Sequence, residues 1–255
     1  MAMALDTSEA TAFSQDHLSG SSRTHMIDRW IYVFTAASLI AIVFAGFIPD
    51  SLAKVAAVDA GRRLPFPLIL HLHAVLMGSF LLLLLAQTVL VATGRRSGHM
   101  QLGIAAMVLA PAIVITGFIL VPTMYRGTPA QDNILLIQLR AGLLFSICMW
   151  VALRSRTRNS GVHKRLIILA IAAALPAAFD RMHWLPTTMP NHPLGADLYT
   201  ILAFSPMFIW DLMRNRSLHR AYLIWGALFI SVTAVVYSLW NTPWWHATAH
   251  HIMGV

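Results

Sequence analysis

From Pro67 to Ala92 the chain reads PLILHLHAVLMGSFLLLLLAQTVLVA, without one charged residue. A helix of that length exceeds the roughly 20 apolar residues that cross a bilayer core. Six further runs repeat the pattern, at 28–49, 101–122, 133–153, 165–185, 197–213 and 219–240. Lipid offers no water to unpaired backbone groups, so only helices and closed barrels span it. None of these runs alternates with the period of two that a barrel strand needs. The chain therefore reads as an all-α polytopic membrane helix bundle with seven transmembrane helices.

Composition supports that class. Charged residues are 11% of the 255, less than half the roughly 25% of a soluble domain. The formal charge of +8 is no nucleic-acid footprint. Its arginines sit in short clusters between apolar runs, at Arg95-Arg96, from Arg154 to Arg165, and at Arg214, Arg216 and Arg220. Such flanking charges orient a membrane protein rather than track phosphates. With seven spans, twelve Lys and Arg fall on the N-terminal side, five on the other, and Arg140 within a span. The positive-inside rule then places the N-terminus in the cytoplasm and the C-terminus outside.

Residues 1–27 are rich in Ser and Thr and lack the basic and apolar regions of a signal peptide. They read as a disordered cytoplasmic tail before a transmembrane domain over 28–240. Residues 241–255 read as a short extracytoplasmic interfacial tail. The lone cysteine, Cys148, excludes an intrachain disulfide and a thiol–metal cluster.

Polar residues inside the runs are the candidates for function, because a charge within a span costs several kcal/mol unless paired or hydrated. At ~1.5 Å per residue, His73 lies roughly 9 Å inside the outer boundary, Arg140 roughly 11 Å, and Asp180 roughly 9 Å. His183 sits one turn shallower than Asp180 on the same face. Four costly residues from three runs thus share one layer of the outer leaflet. Arg140 and Asp180 are expected partners, as a structural ion pair or as part of a site. His73 shares a face with Phe80, Leu84 and Gln87, while His71 points about 200° away. His73 is the inward candidate and His71 an interfacial residue. Pro176 is expected to kink the Ala-rich fifth run.

The tail NTPWWHATAHHIMGV puts His246 and His250 at i, i+4 on one helical face, a spacing that metal sites use. An amphipathic segment lying in the interface, anchored by Trp244 and Trp245, has the same pattern. Near the cytoplasmic boundary, GRRSGHMQLG and GVHKRLIIL each set a histidine, His99 and His163, before a span. Their basic neighbours suit anionic headgroups. The two also form a second histidine level, separated across the bilayer from His73 and His183.

That layout resembles the di-haem b-type transmembrane cytochromes, in which histidines of different helices pair at both leaflets. The runs HLHAVLMGSFLLLLLAQTVLVATGRRSGHMQLG and HKRLIILA more closely resemble a group of bacterial multi-pass proteins of unassigned activity. That resemblance covers most of the chain from about residue 66 onward and implies a bacterial inner membrane. The lysines, Lys54 and Lys164, both lie outside the spans, which excludes a retinal Schiff base. The seven-span hydrolases related to alkaline ceramidases share an HxxxH, but their third-span aspartate has no counterpart here.

The expectation is a protein that binds haem b or a transition metal (copper, iron or zinc) for electron transfer or cofactor handling. His73, His183, His99, His163 and Arg140 are the expected cofactor residues. His73, Asp180, His183, His246 and His250 are the expected metal ligands. Neutral imidazole is a common ligand for metals and a standard axial ligand of haem iron. The partners are the lipid bilayer and a respiratory or redox membrane protein. Two alternatives stand: a metal-dependent membrane hydrolase acting on a lipid, and a non-catalytic assembly factor or small-molecule transporter.

Overall fold

The computed structural model describes the chain from Ser22 to Val255, with side chains from Met26 onward. The expected N-terminal tail lies, through residue 21, outside the described residues. Its last part is helical, since α1 spans Ser22–Asp59. There follow α2 (Leu68–Ala92), α3 (Arg96–Met124), α4 (Pro129–Ser155), α5 (Ser160–Ala170), α6 (Leu175–Phe179), α7 (Leu194–Asn215), α8 (Arg220–Leu239) and α9 (Pro243–Met253). The described residues contain no strand. Five helices, α1 from Met26, α2, α3, α4 and α8, are long and apolar enough to cross a membrane. Their outward side chains are large and apolar, with Val75, Ile104 and Ile230 all exposed. Such a surface suits lipid and would be a liability in water.

The fifth run departs from a single kinked helix. It forms α5, a 3-10 turn over Ile171–Ala173, and then α6 with Pro176 in its first turn. Within a continuous helix the proline ring would clash with the carbonyl four residues back and leave it unpaired. The ladder instead tightens before Pro176, and the proline sits where a missing N–H costs nothing. This broken, Ala-rich segment is the axis of the bundle. Leu166, Leu169, Leu175 and Ala178 are wholly buried. Around them pack Leu39 of α1, Phe80 and Leu84 of α2, Cys148 of α4, Met207 of α7 and Trp225 of α8. Gly46 lets α1 come close to this segment. A Cβ there would lie 2.9 Å from the Cα of Ala178.

The sixth run forms α7, whose buried face is Asp197, Thr200, Phe204, Met207 and Asp211. That stripe repeats every three or four residues, while Leu198, Leu202 and Leu212 face outward. Its polar ends point into the protein and its leucines away, the sense a helix takes in lipid. The C-terminal tail forms α9, capped by Thr242 at its start and by Gly254, with φ +73°, at its end. Trp245 and Ala249 bury against Leu135 and Leu136 of α4 and Val236 of α8.

Candidate functional site

At the end of the bundle where α2 finishes and α3 and α5 begin, four helices bring polar groups together. The imidazoles of His99 on α3 and His163 on α5 lie with centres 6.5 Å apart and planes at 81°. His163 uses Nδ1 to hydrogen-bond the carbonyl of Ala152 on α4, at 2.9 Å. That bond fixes the ring and leaves Nε2 as its free nitrogen, the way a backbone carbonyl orients a metal-binding histidine. His99 has a buried Nδ1 with no hydrogen-bond partner, and the backbone carbonyl of Gln87 lies beside its ring. Both polar atoms of the Gln87 side chain are also buried and unpartnered. Gly103, one turn along α3, lies beside that amide, where a Cβ would stand at an ordinary contact distance of 3.5 Å from its nitrogen. Buried polar atoms are rarely left unsatisfied. Three in one spot mark a place suited to a bound group.

The outer layer is assembled differently from the expectation. His73 hydrogen-bonds Thr116 of α3, at 2.9 Å between Nδ1 and Oγ1, while His183 lies on an exposed turn after α6. Arg140 does not pair with Asp180. Its guanidinium grips both carboxylate oxygens of Asp197, at 2.8 and 2.9 Å, and also donates to Thr233 at 3.2 Å. Tyr237 adds a hydrogen bond to Asp197 at 2.9 Å. Asp180 is the half-buried C-cap of α6, near enough to feel both charges. Asp197 wins because α7 aims it into the bundle opposite α4, in the flat two-oxygen geometry that guanidinium prefers. Arg181 reaches Asp50 of α1 instead, at 3.2 Å.

A second network repeats this pattern at the basic end. Arg165 of α5 meets Asp211 of α7 through two bonds of 2.6 and 2.8 Å, and Tyr222 of α8 donates to the same carboxylate. Both arginine–aspartate pairs are almost completely buried.

In the tail, His246 and His250 do share a face of α9, and both turn toward Asp132 in the first turn of α4. His246 Nδ1 lies 2.7 Å from Asp132 Oδ2, and His250 Nε2 lies 3.5 Å from it. Tyr125 donates to the other carboxylate oxygen. Trp245 Nε1 bonds the Asp132 carbonyl at 2.7 Å. Burial, first, and Asp132, second, push the Tyr125 hydroxyl up to about 12. The cluster pins α9 to α4. Among the described residues, no three His, Cys, Asp or Glu side chains are grouped to hold a metal ion. That holds for the tail and for His73, Asp180 and His183.

Sequence reasoning missed Thr116, Asp132, Asp197 and Asp211. The signal for the last two was present. They are the acids of the sixth run, fourteen residues apart, and about four turns of helix bring both to one face. Comparison with protein-family models, curated proteins and solved structures finds no match to this chain.

Proposed function

We propose that this is a haem b protein of the bacterial inner membrane that transfers electrons, and that His99 and His163 would hold the haem. One observation carries the reading: two histidines from different helices stand 6.5 Å apart, each with one nitrogen free of any hydrogen bond. Two imidazoles bound to one metal at about 2.0–2.1 Å each bring their ring centres to roughly 6 Å. Crossed ring planes are compatible with that arrangement. The unpartnered atoms of Gln87 and His99 fit a polar group lodged beside them.

Donor number favours haem over a bare ion. A copper, iron or zinc ion held by side chains needs three or four donors, and no such group occurs among the described residues. Haem brings four ring nitrogens of its own, so two imidazoles would suffice to hold it. Held by His99 and His163, haem would supply reversible one-electron chemistry. The chain's own part is positional. The Ala152 carbonyl sets the tautomer of His163.

In the same reading the bundle has seven spans, with α5–α6 and α7 completing the set, its basic end in the cytoplasm and α9 outside. Electrons would pass between this haem and a respiratory or redox partner in the membrane. An absorption spectrum of the detergent-purified protein, oxidised and dithionite-reduced, and again after haemin titration, tests the proposal. A Soret band that sharpens on reduction is expected. It should vanish in His99→Ala and in His163→Ala, and persist in His73→Ala. A wild-type protein that neither carries nor takes up haem sinks the reading.

A further inference from the structure

A groove of about 430 Å³ opens between α3 and the end of α4. Its apolar wall is Met107, Trp150 and Leu153, and its rim carries Arg154, Arg156 and Arg158. Met107 and Trp150 are 47% and 61% exposed, so this wall faces the same surroundings as the lipid-facing leucines. The rim is held in place. Arg154 lies over the indole of Trp150, at 5.2 Å. Arg156 spans the groove to the sulfur of Met107, at 3.3 Å. Among the described residues none of the three arginines is paired with a carboxylate, although buried arginines nearby are. Three uncompensated guanidinium groups stand above an apolar slot.

We propose that this groove binds an anionic phospholipid, its phosphate on Arg154, Arg156 and Arg158 and an acyl chain along Trp150 and Met107. Guanidinium matches phosphate in shape and charge. Basic pockets between transmembrane helices on the cytoplasmic side bind such headgroups. An exposed tryptophan one turn from the charges is placed as at a membrane–water boundary. The negative end of the α4 dipole lies here and opposes an anion, so the arginines must carry the binding. Their removal is therefore decisive. The proposal does not depend on haem.

Native mass spectrometry of the full chain in mild detergent, with phosphatidylglycerol or phosphatidylcholine added, tests it. Retention of phosphatidylglycerol over phosphatidylcholine is expected. Each Arg→Gln change on the rim should weaken retention about fivefold. Arg154→Gln with Arg156→Gln should lose it, whereas Arg95→Gln with Arg96→Gln, an equal loss of charge elsewhere on the same end, should not. All five arginines are exposed, and circular dichroism checks that the variants fold. Equal loss in the two double variants would mean a diffuse basic surface and overturn the proposal. So would equal retention of the two lipids, or displacement of the lipid by millimolar inorganic phosphate alone.

Discussion

Asp197 and Asp211 leave α7 on the same face, and each is clamped by an arginine of another helix and a tyrosine of α8. Arg140 and Tyr237 hold the first, Arg165 and Tyr222 the second. Antiparallel α7 and α8 thus carry two matching networks, one toward each end of the bundle. Between them the rings of Phe208, Trp225 and Phe229 pack in sequence, at 5.9 and 4.9 Å. Ion pairs in such positions set helix register rather than add net stability, because desolvation cancels much of their attraction.

Breaking one pair is a different matter, since the surviving charge stays buried. Asp197→Asn should cost about 3–5 kcal/mol, read as a lower unfolding midpoint in detergent. The double change Arg140→Met with Asp197→Leu should cost less than either single change. Asp180→Asn should cost about 1 kcal/mol or less, as no bond to Arg140 is lost. A large effect at Asp180 and a small one at Asp197 would mean that the arginine chooses the other partner.

The histidine site makes its own thermodynamic prediction. In the haem-free protein the Gln87 amide is buried without partners, a penalty of about 1–3 kcal/mol. Gln87→Leu should therefore raise the melting temperature of haem-free protein. It should also weaken haem uptake in a haemin titration. A variant that melts lower and takes up haem normally would show that the amide is satisfied in another way.

Helix approach at Gly46 can be checked without any ligand. A Cβ there would press into the backbone of Ala178, and backbone at the centre of the bundle cannot swing aside as a side chain can. Gly46→Ala should lower stability by about 1–3 kcal/mol. Gly78→Ala, where nothing lies within 4 Å, should be neutral or slightly stabilising through its helix propensity. Equal behaviour of the two variants would rule out the close α1–α6 contact.

Much of the helical layout is legible because lipid imposes one rule on every span: an unbroken apolar length. Four of the expected runs coincide closely with α2, α3, α4 and α8. The fifth is harder because Pro176 and its alanines suit a kinked helix and a broken one equally well. Only packing against Gly46 and the surrounding core decides. The site was legible in part for a similar reason. Spacing puts His246 and His250 on one face, but not which carboxylate they meet, since Asp132 lies more than a hundred residues away and reads as an ordinary first-turn acid. Arg140 illustrates the same limit. Depth arithmetic offered Asp180 alone, and the rotation of α7 brings Asp197 to the guanidinium instead.

The attachment of α9 gives a prediction with a defined pH window. Tyr125 titrates at about 12 in the fold against an ordinary value of 10.0, chiefly through burial and then through its hydrogen bond to Asp132. A group whose pKa rises on folding adds stability below its unfolded value, and loses it as pH climbs through the folded one. Wild type should accordingly melt higher than Tyr125→Phe by a constant margin up to about pH 10, and that margin should shrink to nothing near pH 12. Asp132→Asn should shrink the margin below pH 10, because a neutral amide is a weaker acceptor for the phenol, and should flatten its fall at higher pH, because the Asp132 charge no longer opposes ionisation. Melting curves of the three proteins from pH 8 to 12 provide the check. A margin that grows with alkalinity has the wrong sign and would place the Tyr125 proton on some other partner.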